Sequence, residues 1–244
     1  MESKVWQTYS LMLKEVLDLS LSPVGVCYIE KKGFDVHQGK VRICRAILDA
    51  ASGKSLYVCR ENNACFGAAW HLGFHKMRDS KVFDMTKKFI VEGEKLFSSY
   101  KALDTLLAQM QNPPDNSNMC FQLSPLEKTE QKPQLVIFVC TPHVACRLLT
   151  LAMFLDGIMP KIKIGGPTCK MAIIYPLFTG EVNVSFYDYT ARKMCNVEKD
   201  KLLVSIPYKR IPQIIESIDK CTAGRAKMEF PQEFREFLQK RLAK

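Results

Sequence analysis

The stretch QLVIFVCTPHVACRLLTLAMFLDG, Gln134 to Gly157, carries the most information about fold class. Leu135 to Cys140 form an unbroken apolar run rich in β-branched residues and read as a buried strand. Thr141-Pro142 ends it, and the residues from His143 onward form an apolar helix closed by Gly157. KIKIGG (Lys161 to Gly166) can then return as a short strand, which gives this part of the chain a βαβ style.

Upstream, VGVCYIE (Val24 to Glu30) is a second buried strand, stopped by Lys31-Lys32-Gly33. An amphipathic helix over Val5–Leu19 precedes it and ends at Ser22-Pro23. Val41, Cys44, Ile47 and Leu48 share one face of a helix over Val41–Ala51 that Gly53 closes. SLYVCR is a short strand, and a helix of small residues is expected from Cys65 to Leu72. Asp79 to Met110 is helical with a break near Gly93. NPPDNSN (Asn112 to Asn118) is the clearest turn cluster and the candidate internal boundary. Downstream, a helix opens near Thr168-Cys169, EVNVSFYDY and KLLVSIP are strands, and KRIPQIIESIDKC and PQEFREFLQKRL are helices. The expectation is an α+β or mixed α/β fold: one domain over residues 1–244, with a mixed sheet flanked by helices.

The chain has 244 residues with 47% hydrophobic and 25% charged content, enough to bury a core without staples. Charges interrupt Met1 to Leu19, so no signal peptide is expected, and no apolar run reaches the roughly 20 residues that span a bilayer. The expected location is the cytoplasm. Ten cysteines scattered without a secretion signal favour reduced thiols, with Cys27 and Cys140 as packing residues. The net charge of +10 permits an anionic partner, but without an arginine-rich run or a basic-aromatic strand a nucleic-acid partner is disfavoured. G-x-S-x-G, P-loop and G-x-G-x-x-G patterns are absent, which disfavours the common serine hydrolases, NTPases and dinucleotide enzymes.

Six stretches taken in order carry a resemblance: LSPVGVCYIE, RICRAILDAASGKSLYVCRENNACFGAAWHLGF, LSPLEK, PQLVIFVCTP, TCKMAIIYPLFTGEVNVSFYDYTARKM and DKLLVSIPYKRIPQIIESI. Between about Leu19 and Ile218 the chain resembles domain of unknown function 169, the uncharacterised ArCR family of archaea and bacteria. The resemblance implies a soluble cytoplasmic protein of a kind common in anaerobes, and no established reaction. The family's recurring cysteines match Cys44, Cys65 and Cys169, its small-residue motif matches Gly67 to Gly73, and its late arginine matches Arg192. Many members carry a further cysteine where this chain has Asp188.

These positions supply the candidate sites. Cys44, Cys59, Cys65 and Cys169 are the candidate metal ligands, for an iron–sulfur cluster or zinc, in a protein that would be redox-active and meet a redox partner. The spacing C-x14-C-x5-C lacks the tight C-x2-C hairpin of zinc ribbons and ferredoxins. Cys169, at a helix start, is also a candidate low-pKa thiol or the wall of an anion pocket. The other reading is a non-catalytic module for a small anionic or aromatic metabolite, with Gly67, Gly166 and Thr168 as walls and Arg192 as charged contact. His71 and His75, four apart, and His143 are weaker ligand candidates. Asp188 and Arg192 are expected on one face of an extended stretch. Whether the protein is an enzyme stays open.

Overall fold

A computed structural model describes residues 4–31, 39–75, 81–110 and 112–242; the expected stop at Lys32-Gly33 and the start of the Asp79–Met110 helix lie outside them. The described elements begin with α1 (Val5–Leu17), β1 (Val24–Glu30), α2 (Ile43–Ala51), β2 (Leu56–Cys59) and α3 (Phe66–His71). Next come α4 (Lys81–Lys88), α5 (Tyr100–Ala108), β3 (Met119–Pro125), β4 (Leu135–Cys140) and α6 (Pro142–Met153). The chain continues through α7 (Tyr175–Thr179), β5 (Asn183–Ser185), α8 (Tyr189–Cys195), β6 (Leu202–Pro207), α9 (Ile211–Ser217) and α10 (Gln232–Leu242). This is an α+β fold around a six-stranded sheet in the order β2-β3-β1-β4-β6-β5.

The apolar strands β1 and β4 lie side by side, with Val24 opposite Ile137 and Val26 opposite Leu135. Strands from both sides of residues 112–118 therefore share one sheet. Those residues are also sewn to α3: Asn116 Nδ2 donates to Leu72 O at 2.6 Å and Asn116 N to Gly73 O at 2.8 Å.

Alternation along β4 explains its unbroken apolar run. Leu135, Ile137 and Val139 enter a core with Ile43, Ile47 and Ile173, whereas Val136, Phe138 and Cys140 enter a second core with Leu13, Leu148 and Ile214. Helices α1, α6 and α9 cover the latter face, and α2, α3 and the helix that opens at Thr168 cover the former, so neither face of the strand can be polar. Cys27 and Cys140 are buried, as expected of packing residues.

The expected βαβ return is not formed. Every ladder between named strands is antiparallel, so the sheet is not mixed, and residues 161–166 carry no strand. From α6 the chain runs through α7, β5 and α8 before β6 pairs back on β4, with Leu135 opposite Pro207. Residues 165 and 166 are glycines at φ +97° and +94°, a backbone that breaks an extended run and that glycine adopts without steric cost.

The thiol junction

The candidate ligands sit where three separated segments meet on the α2 and α3 side of the sheet. Asn62, 3% exposed, shapes the turn after β2 by donating Nδ2 to Tyr57 O at 2.7 Å and accepting from Cys59 N at 2.8 Å. The next residues are laced to the start of α2: Val41 N donates to Asn62 O, and Ala64 N to Val41 O, each at 2.8 Å. This brings Cys44, in the first turn of α2, beside Cys65, the N-cap of α3, whose Sγ accepts from Ala68 N at 3.5 Å.

Cys169 arrives on the helix that begins at Thr168, and a reciprocal clamp sets that helix start. The Asp188 carboxylate accepts from Thr168 N at 2.9 Å and Thr168 Oγ1 at 2.7 Å, while Asp188 N donates to Thr168 Oγ1 at 2.8 Å. The other carboxylate oxygen of Asp188 caps α8 by accepting from Ala191 N at 2.8 Å. Lys170 to Ile174 then form a π-turn, a widened helical turn that often marks functional sites.

Cys44, Cys65 and Cys169 lie within electrostatic reach of one another, with Asp188 close by. Cys195, in α8, lies within electrostatic reach of both Cys44 and Cys65. Burial pushes the Cys44 and Cys169 thiols well above their ordinary range, and the neighbouring thiols and Asp188 add to it. For Cys169 this overturns the expected low pKa, because backbone N–H groups at the helix start lower it by less than burial raises it. The two thiols are protonated at neutral pH and are not activated nucleophiles.

Cys59 is not among them. The register of β2 on β3 sets it directly opposite Cys120, and the two form a disulfide with Cα atoms 4.4 Å apart, which corrects its reading as a reduced thiol and a ligand. Such a bridge needs Cα atoms roughly 4.4–6.8 Å apart, a separation that strand pairing supplies here. Among the described residues no group of three or more His, Cys, Asp or Glu side chains is disposed to hold one metal ion.

The other candidates have mostly structural occupations. Thr168 is fully buried and both its donors serve Asp188. Arg192 lies within α8, not on an extended stretch, and donates to Glu198 O, Lys199 O and Lys201 O at 3.0, 3.4 and 2.7 Å. A Cβ on Gly67 would meet only Cys65 Sγ, at 4.0 Å, and one on Gly166 would lie 3.6 Å from Met171. Of the small-residue motif it is Gly73 that permits close approach: at φ +80° its added Cβ would stand 2.2 Å from Pro114 O.

His71 and His75 do not form a helical pair, because α3 ends at His71. His71 is 8% exposed, and burial, aided by the Lys170 ammonium and opposed by Asp188, lowers its pKa to about 4. Asp188 as the cap of the helix that opens at Tyr189 was missed because the extended reading of the stretch hid an aspartate at a helix start. Cys195, within the charged stretch ARKMCNVEKD, and Tyr187 carry no sequence signal that marks them.

Fold and junction together define an antiparallel α+β domain with a group of thiols gathered beneath two short helices. The chain belongs to domain of unknown function 169, the uncharacterised ArCR family, whose profile matches residues 12–217. No curated protein and no solved structure gives a significant match.

Proposed function

We propose that Cys44, Cys65 and Cys169 hold an iron–sulfur cluster and that the protein is redox-active through it. The observation that carries the reading is the convergence of three cysteines, from α2, the cap of α3 and the helix start at Thr168, on one junction. A single zinc ion draws its thiolates to about 2.3 Å from one centre, and the described side chains offer no such group. An iron–sulfur cluster instead takes its thiolates on several irons, so its ligands need not surround one atom. With three protein thiolates a four-iron cluster would keep one iron free for a substrate or partner.

Protonated, buried thiols agree with such a role. A soft cation would replace their protons on binding. The Asp188–Thr168 clamp would position Cys169, and the Asn62 turn would position Cys65. Purification without oxygen, followed by an absorption spectrum and assays of iron and acid-labile sulfide, tests the reading. Iron and sulfide lost in Cys65→Ala are expected; a wild-type protein that stays metal-free after reconstitution with iron and sulfide contradicts it.

A further inference from the structure

The Cys59–Cys120 bridge joins the two strands that anchor the opposite ends of α3. Cys59 is the last residue of β2, and its backbone holds the turn that leads to the α3 cap. Cys59 N donates to Asn62 Oδ1 at 2.8 Å, and Asn63 N donates to Cys59 O at 3.0 Å. Asn63 in turn grips the cap residue itself, accepting from Cys65 N at 3.2 Å and donating Nδ2 to Cys65 O at 2.8 Å. Cys120 follows the segment that holds the other end of the helix. Met119 N donates to Asn116 O at 3.0 Å, and Asn116 is bonded to Leu72 O and Gly73 O. One covalent link therefore closes the frame around α3.

The link also sits where the sheet opens most easily. β2 has four residues and lies at the sheet edge beside β3, and Cys59–Cys120 is the last rung of their ladder. Cys59 and Cys120 are 0% and 1% exposed, so a reductant reaches them only when that rung opens. The end of a short edge strand opens locally at far lower cost than the core. The other eight cysteines are free.

We propose that the Cys59–Cys120 bridge is a redox switch on the cap of α3, which holds Cys65 in place when oxidised and releases it when reduced by a dithiol. One thiolate of the dithiol attacks Cys59 Sγ, the S–S bond breaks, and Cys120 leaves as a thiolate that takes up a proton. The second thiol of the reductant, losing its own proton, then attacks the reductant sulfur of the mixed disulfide. Cys59 leaves as a thiolate and takes up that proton. Two electrons have passed to the protein, and the dithiol departs as a disulfide. The effect falls on Cys65 because the Asn62–Asn63 turn hangs from the Cys59 backbone, and the bond from Ala68 N to Cys65 Sγ forms only with that turn in place. The switch acts on a thiol of the proposed cluster site but is read in metal-free protein, so it does not rest on the cluster.

The test follows the rate at which iodoacetamide labels each cysteine, read by mass spectrometry of its peptide. Metal-free wild type is compared before reduction, after dithiothreitol treatment and removal of the reagent, and after reoxidation with oxidised glutathione; a Cys59→Ala/Cys120→Ala variant is labelled alongside. Dithiothreitol should reduce the bridge in the folded protein. Loss of one hydrogen-bonded anchor should then speed the labelling of Cys65 roughly tenfold or more. Cys140 and Cys221, buried in the second core, should stay protected, and reoxidation should restore the slow rate. The double variant should match reduced wild type; if it does not fold, reduced wild type decides. A bridge that opens only as the whole protein unfolds in urea overturns the proposal. So does a Cys65 rate unchanged by reduction, a rate that reoxidation fails to restore, or a rise at Cys140 and Cys221 equal to that at Cys65. A responsive Cys65 in a protein that never takes up iron would sink the cluster reading alone, and a cluster beside an unresponsive Cys65 would sink this one alone.

Discussion

Replacing His71 with Gln should flatten the acid limb of the stability curve. In the folded protein its imidazole titrates at about 4 against an ordinary 6.5. As the pH falls below 6.5 the unfolded chain binds a proton that the folded chain refuses, so stability is complete above 6.5 and drains away as pH drops toward 4. Each pH step across that interval removes about 1.4 kcal/mol, or about 3 kcal/mol in all, a sizeable part of a typical domain's 5–15 kcal/mol. Glu127 does not confuse the upper part of the window. Burial raises its pKa, but hydrogen bonds from Ser22 and Ser10, a backbone N–H and the Lys14 charge outweigh it, so its loss begins only below 4.5. Urea unfolding at pH 6.5 and 4.5 should show wild type losing about 2.5 kcal/mol more than His71→Gln. Equal losses in the two proteins would refute a buried, neutral His71.

Three further expectations concern the framework. Denatured but unreduced protein should titrate eight thiols out of ten, and breaking the Cys59–Cys120 link, which closes a separation of 61 residues, should cost about 4 kcal/mol in chemical denaturation on the chain-entropy estimate. Gly73→Ala should cost about 3 kcal/mol or more, from positive φ together with the collision on Pro114 O, while Gly67→Ala should be neutral or stabilising; a tolerated Gly73→Ala would mean that residues 113–116 do not cross there. Asp188→Ala should cost about 2 kcal/mol by removing the cap of α8 and both bonds from Thr168, and an unchanged urea midpoint would refute the clamp.

The strands β1 and β4 were legible because a continuous apolar run reports burial on both faces, and β6 from its alternation. Direction was not, since antiparallel strands covered by helices on both sides write the same run as parallel ones. The π-turn falls where a helix start was expected at Thr168-Cys169, but the short β5 ends too soon for EVNVSFYDY to be one strand. Asp188 stops that strand by capping α8, and a local cap outweighs alternation when only three residues pair. The cysteines from α2, α3 and the Thr168 helix were singled out by resemblance, and their meeting depends on the Asn62 turn and the Asp188 clamp, two side-chain devices that spacing does not encode. Cys59 was lost from the set because its partner lies 61 residues away, and pairing at that range follows from strand register alone. Burial, a tertiary property, likewise decided the Cys169 thiol against its helix start.

The most direct measurement is the visible spectrum of the protein purified without oxygen, taken with iron and sulfide content, for wild type and for Cys44→Ala, Cys65→Ala and Cys169→Ala. The account predicts a brown wild type containing iron and sulfide, with colour lost or sharply reduced in each variant and kept in Cys146→Ala, whose thiol is exposed on α6. A colourless wild type that takes up no iron on reconstitution, or colour that survives all three substitutions, would contradict it.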